Sequence, residues 1–400
     1  MVSRPLVRVP VPPGSEGPAR LLPHLAAALD GSGPAIAPVP TVSATVSNDY
    51  VMSLLAAVQC DDDVPLESDD VALVAATSGS TGAPRGVLLT AGQLTALTSA
   101  VQGDAAPQWI VAVPVTSMGG LNVLVRAIAA GREPITVPSV GGAGPFTSTA
   151  FAATIEAARK HAADIRTSIV PAQLARLLAD DLGIDSLREC STVLVGGAAA
   201  RESLLAGARE LGIAVTATYG ATETSGGCVY DGTALPGVTV HADPRSGVLT
   251  LGGPMVAAGY RGDPRATAEY FTPAGFRTSD IGEVRPDGTV RVLGRADDII
   301  IVGGVNVSPT AVENVVADLP DVRVAAAVGG FDSRGQPQVH VFVVARELAP
   351  HLEDRVRDEV AQHLGAAARP RVHRVAQLPH LPNGKVDRRS LQEHARKGNQ

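Results

Sequence analysis

Short runs of consecutive apolar residues alternate, along the first half of the chain, with stretches in which apolar positions recur every three or four residues. Val71-Ala-Leu-Val-Ala-Ala76 runs without a polar side chain, the pattern of a strand covered on both faces. Residues 109–113, 192–195 and 214–218 are read as further strands, and 168–170 ends another. Between them, 90–101 sets Leu94, Leu97 and Val101 at i, i+3 and i+7 behind Thr90 as an N-cap, and so predicts a helix. Further helices are predicted over 120–130, 151–161, 172–178 and 202–211. Strand and helix alternating at this spacing predict an α/β domain with a largely parallel sheet. The first 45 residues are rich in Pro and Gly and carry one short amphipathic helix, near 19–29.

The rhythm changes after Gly226. Gly and Pro then come every few residues and the apolar runs shorten to 248–251 and 288–293, which predicts antiparallel hairpins with Pro286-Asp287-Gly288 as a turn. From Asp297 onward the pattern predicts a small α+β unit. It has strands at 299–302, 322–328 and 339–344, a helix capped by Ser308 with Pro309 at its first position, and a helix over 352–364. The expected architecture is α/β: a large N-terminal domain over 1–296 with mainly parallel sheets and a small β-hairpin or barrel-like part, then an α+β domain over 297–400.

Composition narrows the class. At 400 residues and 45% hydrophobic, the chain can bury a large core in two or three units at roughly 150 residues per domain. With 6 Phe, 5 Tyr and 1 Trp, that core is built from Ala, Val, Leu and Ile. The net charge is −7 and Lys and Arg nowhere cluster, which argues against a nucleic-acid partner. Cys60, Cys190 and Cys228 lie far apart, so neither a disulfide framework nor a Cys metal cage is expected, and the compartment is read as reducing. No segment reaches about 18 uninterrupted apolar residues, so no membrane span is expected. Residues 1–13 lack the apolar stretch of a signal peptide. The expectation is a soluble cytoplasmic enzyme.

Thr77-Ser-Gly-Ser-Thr-Gly-Ala-Pro-Arg-Gly86 is read between a strand and a helix. Gly79, Gly82 and Gly86 allow close backbone approach, and Thr77, Ser78, Ser80 and Thr81 offer hydroxyls, which together suit a polyphosphate cradle. The spacing is not that of a Walker A loop. The bland alternative is a flexible Ser/Gly turn. This loop resembles the signature of the adenylate-forming superfamily, which contains acyl-CoA synthetases, peptide-synthetase adenylation domains and luciferases. Three further segments resemble its other motifs: Tyr219-Gly-Ala-Thr-Glu223; Thr278-Ser-Asp280 followed by Gly294-Arg-Ala-Asp-Asp298 and Gly303-Gly304; and Leu381-Pro-Asn-Gly-Lys385. The resemblance covers nearly the whole chain, with the part before the phosphate loop shorter than in most members.

The resemblance implies a residue-by-residue assignment. Thr77, Ser78, Gly79, Ser80, Thr81, Gly82 and Arg85 would hold the ATP β- and γ-phosphates. Gly196, Gly197 and Ala198 would pack on adenine, the alternative being a plain strand-to-helix Gly turn. Tyr219 would flank the adenine with Gly220 beside it, Thr222 would bind the α-phosphate, and Glu223 would hold Mg²⁺, a hard cation that favours carboxylate and phosphate oxygens. Asp280 would accept the ribose hydroxyls and Arg295 would contact ribose and phosphate; singly, either reads as a surface ion pair. Lys385 would neutralise the carboxylate and α-phosphate charges as they join, then withdraw. Asp297 would be the hinge of a mobile C-terminal domain. Two departures stand out. Arg85 occupies a position usually held by Lys, and Pro114-Val-Thr-Ser-Met-Gly-Gly120 lacks the aromatic or His usual near the acyl pocket.

Within the superfamily, the stretch from Tyr219 to Gly232, with the short N-terminus and 120–126, resembles the o-succinylbenzoate–CoA ligases of menaquinone biosynthesis. That branch implies ATP, Mg²⁺ and coenzyme A, and an acid with two carboxylates. Arg126, Thr116, Ser117 and Ser225 are candidates for the carboxylate that is not activated, since an unpaired buried carboxylate is costly. For Arg126 the competing reading is a helix-surface arginine. Two alternatives stay open: another aryl or acyl acid, or a carrier-protein thiol in place of CoA; and, more remotely, an inactive nucleotide-binding protein. An oligomer is compatible with all of them.

Overall fold

The apolar run Val71–Ala76 is a strand, and it sits at the centre of the first sheet of the computed structural model. The structure describes residues 4–60, 64–77, 83–296, 298–332, 334–346, 350–380 and 386–397. The chain divides into two compact units, Met1–Val240 with Thr250–Arg277, and His241–Leu249 with Thr278–Gln400. This division falls earlier than the 296/297 boundary read from the sequence. Asp280 pairs with Arg295 and Val284 with Val290, making one antiparallel hairpin, and Val290–Arg295 packs on helix Pro309–Ala317. The hairpin therefore stays whole within the second unit.

Among the described residues of the first unit, one sheet runs in the order Leu6–Val11, Ala35–Pro40, Val71–Ala76, Gly86–Thr90, Gly259–Tyr260. Its first two strands are parallel and joined by helix Glu16–Asp30, a βαβ unit inside the Pro-rich stretch. The Gly-rich loop does not lead into a helix. The chain returns as strand Gly86–Thr90, antiparallel to Val71–Ala76 with Ala76 opposite Gly86, so the loop tips a hairpin. A helix follows only after Thr90, whose hydroxyl and Gln93 close a capping box, and the predicted 90–101 helix breaks into Ala91–Thr95 and Thr98–Gln102.

The second sheet of this unit has the order Thr233–Ala234, Gly226–Tyr230, Val215–Ala221, Thr192–Val195, Ile165–Ile169, Gln108–Val111, Ile135–Thr136. From Val215–Ala221 to Ile135–Thr136 every pairing is parallel; Gly226–Tyr230 turns back antiparallel on Val215–Ala221. A single buried cluster joins Leu73, Val87 and Leu89 of the first sheet to Trp109, Ile110 and Val111 of the second, with Leu21, Leu25, Leu121 and Leu124 from two helices between. Helix Met118–Ala129 is enclosed on nearly every side, as its apolar sequence demands.

The second unit holds the hairpin Ile300–Val302 and Val305–Val307, turned through Gly303 and Gly304 at φ 57 and 84. Strand Val322–Phe331 pairs antiparallel with Pro337–Ala345, which pairs parallel with Arg371–Arg374. Val312, Val316, Val341, Val343, Val356 and Val360 fill its core. Among the described residues no helix is long and apolar enough to cross a membrane.

Candidate active site

In open α/β sheets, ligands bind beyond the carboxyl ends of the strands. Two of the predicted segments lie there in the second sheet: Gly196–Ala198 follows strand Thr192–Val195, and Tyr219 and Gly220 end Val215–Ala221. A Cβ on Gly196 would come 2.2 Å from Oγ1 of Thr218, so any larger residue here would have to displace that side chain on the strand that carries Tyr219. A Cβ on Gly220 would come 2.0 Å from the carbonyl oxygen of Gly226, across the hairpin.

Thr222–Thr224 makes one tight 3₁₀ turn between these two strands. Thr224, fully buried, holds the turn: its hydroxyl accepts from the Ala221 N–H at 2.9 Å and lies 2.9 Å from the Gly226 carbonyl. Glu223 is thereby set at the turn's apex. Its Oε1 accepts a 2.8 Å hydrogen bond from the hydroxyl of Tyr260, and its carbonyl accepts the Ala257 N–H at 2.9 Å.

Tyr260 connects Glu223 to the neck of the Gly-rich loop. The Arg85 guanidinium lies 5.1 Å from the Tyr260 ring centroid and 5.5 Å from that of Tyr270, within cation–π range. Thr77 and Arg85 close the neck twice: the Thr77 N–H donates to the Arg85 carbonyl at 2.8 Å and the Arg85 N–H to Thr77 Oγ1 at 2.9 Å. The intervening Ser78, Gly79, Ser80, Thr81 and Gly82 lie outside the described residues. Burial, and then the Glu223 carboxylate, push the Tyr260 phenol above its ordinary pKa, so it remains a neutral donor. Burial likewise pushes the nearby Cys228 thiol up to about 11, so it offers no thiolate at neutral pH.

A cleft of about 240 Å³, open solvent included, lies beside this turn, lined by Gln93, Asn122, Arg126, Ser225, Gly227 and Met255 among others. Asn122 and Arg126 are the two polar side chains of Met118–Ala129 and stand one turn apart. Both are buried, 8% and 6% exposed, which removes the helix-surface reading of Arg126. Asn122 Nδ2 donates to the Ser225 carbonyl at 2.7 Å, and Arg126 Nη2 donates to the Tyr230 hydroxyl at 3.1 Å.

The other acid-pocket candidates are engaged differently. Ser225, at φ 51, donates from Oγ to the Met255 carbonyl at 2.8 Å. Ser117 caps helix Met118–Ala129 and donates to the Pro114 carbonyl at 2.7 Å. Thr116 lines a separate cleft with Pro13, Pro40, Thr41 and Gly141. In the second unit, Asp280 and Arg295 face each other across the hairpin, with Arg295 Nη1 3.9 Å from Asp280 Oδ1 and Nε 4.0 Å from Asp298 Oδ2. Asp297 and Lys385 lie outside the described residues; a bridge between His380 and Val386 flanks Lys385's segment.

Sequence reasoning missed Tyr230, Tyr260, Tyr270, Trp109 and Asn122. The signal was the scarcity of aromatics: of 5 tyrosines, Tyr219, Tyr230, Tyr260 and Tyr270 gather here.

Comparison with known proteins agrees with this layout. Residues 25–261 match the AMP-binding enzyme family, and residues 311–385 match the AMP-binding enzyme C-terminal domain. A probable 2-succinylbenzoate–CoA ligase of Mycobacterium tuberculosis H37Rv is 40% identical over 387 residues, 95% of this chain and 96% of that one. A sulfoacetate–CoA ligase of Cupriavidus necator is 31% identical, covering 83% of this chain and 68% of that one. The fold is similar to that of Bacillus subtilis o-succinylbenzoate CoA synthetase in complex with its acyl-adenylate, at TM-score 0.72 and 21% identity, over 98% of this chain and 89% of that one. The family match spans the phosphate-loop neck, the turn at Glu223 and Tyr260 in one stretch, and this chain belongs to the AMP-binding, adenylate-forming enzyme family.

Proposed function

We propose that the protein is an ATP-dependent 2-succinylbenzoate–CoA ligase of menaquinone biosynthesis, working in the cytoplasm through an acyl-adenylate. The observation that carries the choice of acid is Arg126: a buried guanidinium, with no carboxylate partner among the described residues, on a cleft beside the adenylation turn. A buried cation of this kind calls for an anion. Two relatives support that class, since 2-succinylbenzoate and sulfoacetate each carry a carboxylate to activate and a second anionic group.

In the first step a carboxylate oxygen of the acid attacks the α-phosphorus of ATP; the acyl–O–P bond forms, the bond to the β-phosphate oxygen breaks, and pyrophosphate leaves. In the second, the CoA sulfur attacks the acyl carbon, the C–S bond forms, the bond from that carbon to the bridging oxygen breaks, AMP leaves with that oxygen, and the thiol proton passes to solvent. The loop from Thr77 to Gly82, with Arg85, holds the β- and γ-phosphates. Gly196, Gly197, Ala198, Tyr219 and Gly220 seat the adenine, Thr222 the α-phosphate, and Asp280 with Arg295 the ribose.

No group of three or more His, Cys, Asp or Glu is gathered for a metal among the described residues. A metal here would be held by one carboxylate and the nucleotide's own oxygens, a donor set that Mg²⁺ accepts. Glu223, oriented by Tyr260, fits that role, and the ion when bound offsets phosphate charge. Lys385 steadies the charges that meet in the first step.

Incubation of the purified protein with ATP, magnesium chloride and 2-succinylbenzoate, with and without CoA, tests this by pyrophosphate release and mass spectrometry. The expected products are the acyl-adenylate without CoA and the thioester with it. Faster release with sulfoacetate or a simple aryl acid would move the assignment to that acid.

A further inference from the structure

The Arg126 side chain is held at one end and open at the other. Nη2 donates to the Tyr230 hydroxyl at 3.1 Å, and the guanidinium carbon lies 5.3 Å from the centroid of Trp109. Trp109 is itself fully buried and pinned, its Nε1 donating to Oε1 of Gln102 at 3.3 Å. Nε and Nη1 of Arg126 make no hydrogen bond among the described residues. The sole fully enclosed side-chain nitrogen or oxygen without a partner, among those residues, is Nε of Arg261. The unbonded nitrogens of Arg126 are therefore not sealed in protein, and Arg126 is one of the residues that line the cleft.

A guanidinium recognises a carboxylate through two parallel N–H donors, and the pair is strong only when the fork is aimed beforehand. A free arginine side chain gives up rotamer entropy on being fixed, a cost that is already met when the fold holds it in place. Here the guanidinium lies against the ring of Trp109 and one N–H of Nη2 goes to the Tyr230 hydroxyl, which leaves Nε, Nη1 and the second N–H of Nη2 for a ligand, and so one two-donor fork that includes Nη2. Trp109 and Tyr230 come from two different strands of the second sheet, Gln108–Val111 and Gly226–Tyr230, so the sheet itself holds the aim.

We propose that Tyr230 and Trp109 are positioning residues that make Arg126 selective for acids with a second, non-reacting anionic group. This rests on the reading of the cleft as the acid pocket.

The test compares 2-succinylbenzoate with whichever of its two monomethyl esters is still activated, by pyrophosphate release, in wild type and in Tyr230→Phe, Trp109→Phe and Arg126→Ala. For Tyr230→Phe the expected result is a KM for the diacid raised roughly three- to tenfold, the worth of one hydrogen bond. Its kcat, its KM for ATP and its KM for the ester should stay within about twofold, a split that general damage to the fold would not produce. Trp109→Phe, which keeps an aromatic face but loses the Gln102 bond, should act in the same direction. Arg126→Ala should abolish the preference for diacid over ester.

An equal rise in KM for diacid and ester in Tyr230→Phe, or no rise, would overturn the positioning roles while Arg126→Ala upheld the acid pocket. If Arg126→Ala left the preference intact, the reading of the cleft would fall as well. If wild type activates sulfoacetate instead, the same variants are read on sulfoacetate against acetate. A wild type that prefers acids without a second anion overturns both.

Discussion

The hydroxyl of Tyr260 donates a 2.8 Å hydrogen bond to Oε1 of Glu223, and the same ring carries the Arg85 guanidinium 5.1 Å from its centroid. One buried tyrosine thus stands between the acid of the 3₁₀ turn and the cation at the loop's neck. The charge at the loop's neck, Arg85, lies within cation–π range of two rings, Tyr260 and Tyr270, that stand edge to face at 80°.

Tyr260→Phe keeps the ring under Arg85 and removes the donor to Glu223. A hydrogen bond to a charged group is worth about 1.5–3 kcal/mol, so magnesium-ATP should bind roughly tenfold more weakly while the protein stays folded. Calorimetric titration of magnesium-ATP into wild type and variant measures this directly. Equal affinities would remove Tyr260 from the orientation of Glu223.

Lys385→Ala should slow adenylate formation by ~10²–10³ and leave thioester formation from pre-made acyl-adenylate largely intact, as expected for the loss of one aimed charge. Both half-reactions are assayed separately, by pyrophosphate release and by thioester yield. An equal loss in both would contradict a lysine that acts in the first step alone.

Gly220→Ala would place a methyl 2.0 Å from the Gly226 carbonyl oxygen, a backbone atom that cannot rotate away. The hairpin must open, at about 1–3 kcal/mol, the usual range for forced overpacking. Because Glu223 lies on the connection between the two strands, activity should fall further than thermal stability does. A variant with native melting temperature and native turnover would show that the hairpin yields without moving the turn.

Acid should weaken the second unit through His340 and His373. Nε2 of His340 lies 3.0 Å from the Phe331 carbonyl, which can only accept, so Nε2 carries the proton and Nδ1 accepts from Nε2 of His373 at 2.9 Å. Burial favours the neutral form of both rings. Burial first, then the neighbouring His340, Arg371 and His394, push His373 down to about 4, and burial also lowers His340. A histidine whose pKa falls on folding contributes fully above its unfolded value near 6.5 and loses that contribution as the pH drops towards 4. Thermal unfolding should be flat from pH 8 to 7 and decline between about 6.5 and 4, with a shallower decline in His373→Phe. An unchanged slope in that variant would assign the acid sensitivity to other groups.

Much of this protein could be read locally. The strands at 71–76 and 192–195 and the helix over 352–364 follow from runs and periods, because burial on both faces or on one imprints a repeat that needs no knowledge of the partner. The turn at Thr222–Thr224 and the cap at Thr90 are likewise written in adjacent residues. Other features depended on which surface covers which. Gly86-Val-Leu-Leu-Thr90 is too short an apolar run to separate strand from helix, and pairing with Val71–Ala76 decided it. Ser117 and Ser225 offered hydroxyls in the sequence, and the fold turned the first into a helix cap and gave the second to the Met255 carbonyl. Arg126 and Tyr230 are 104 residues apart, and Asn122 and Ser225 are 103 apart. A hydrophobic period reports that a helix face is buried but not what lies against it. Only the packing of helix Met118–Ala129 against the hairpin after Tyr219 could therefore place a buried cation on the cleft.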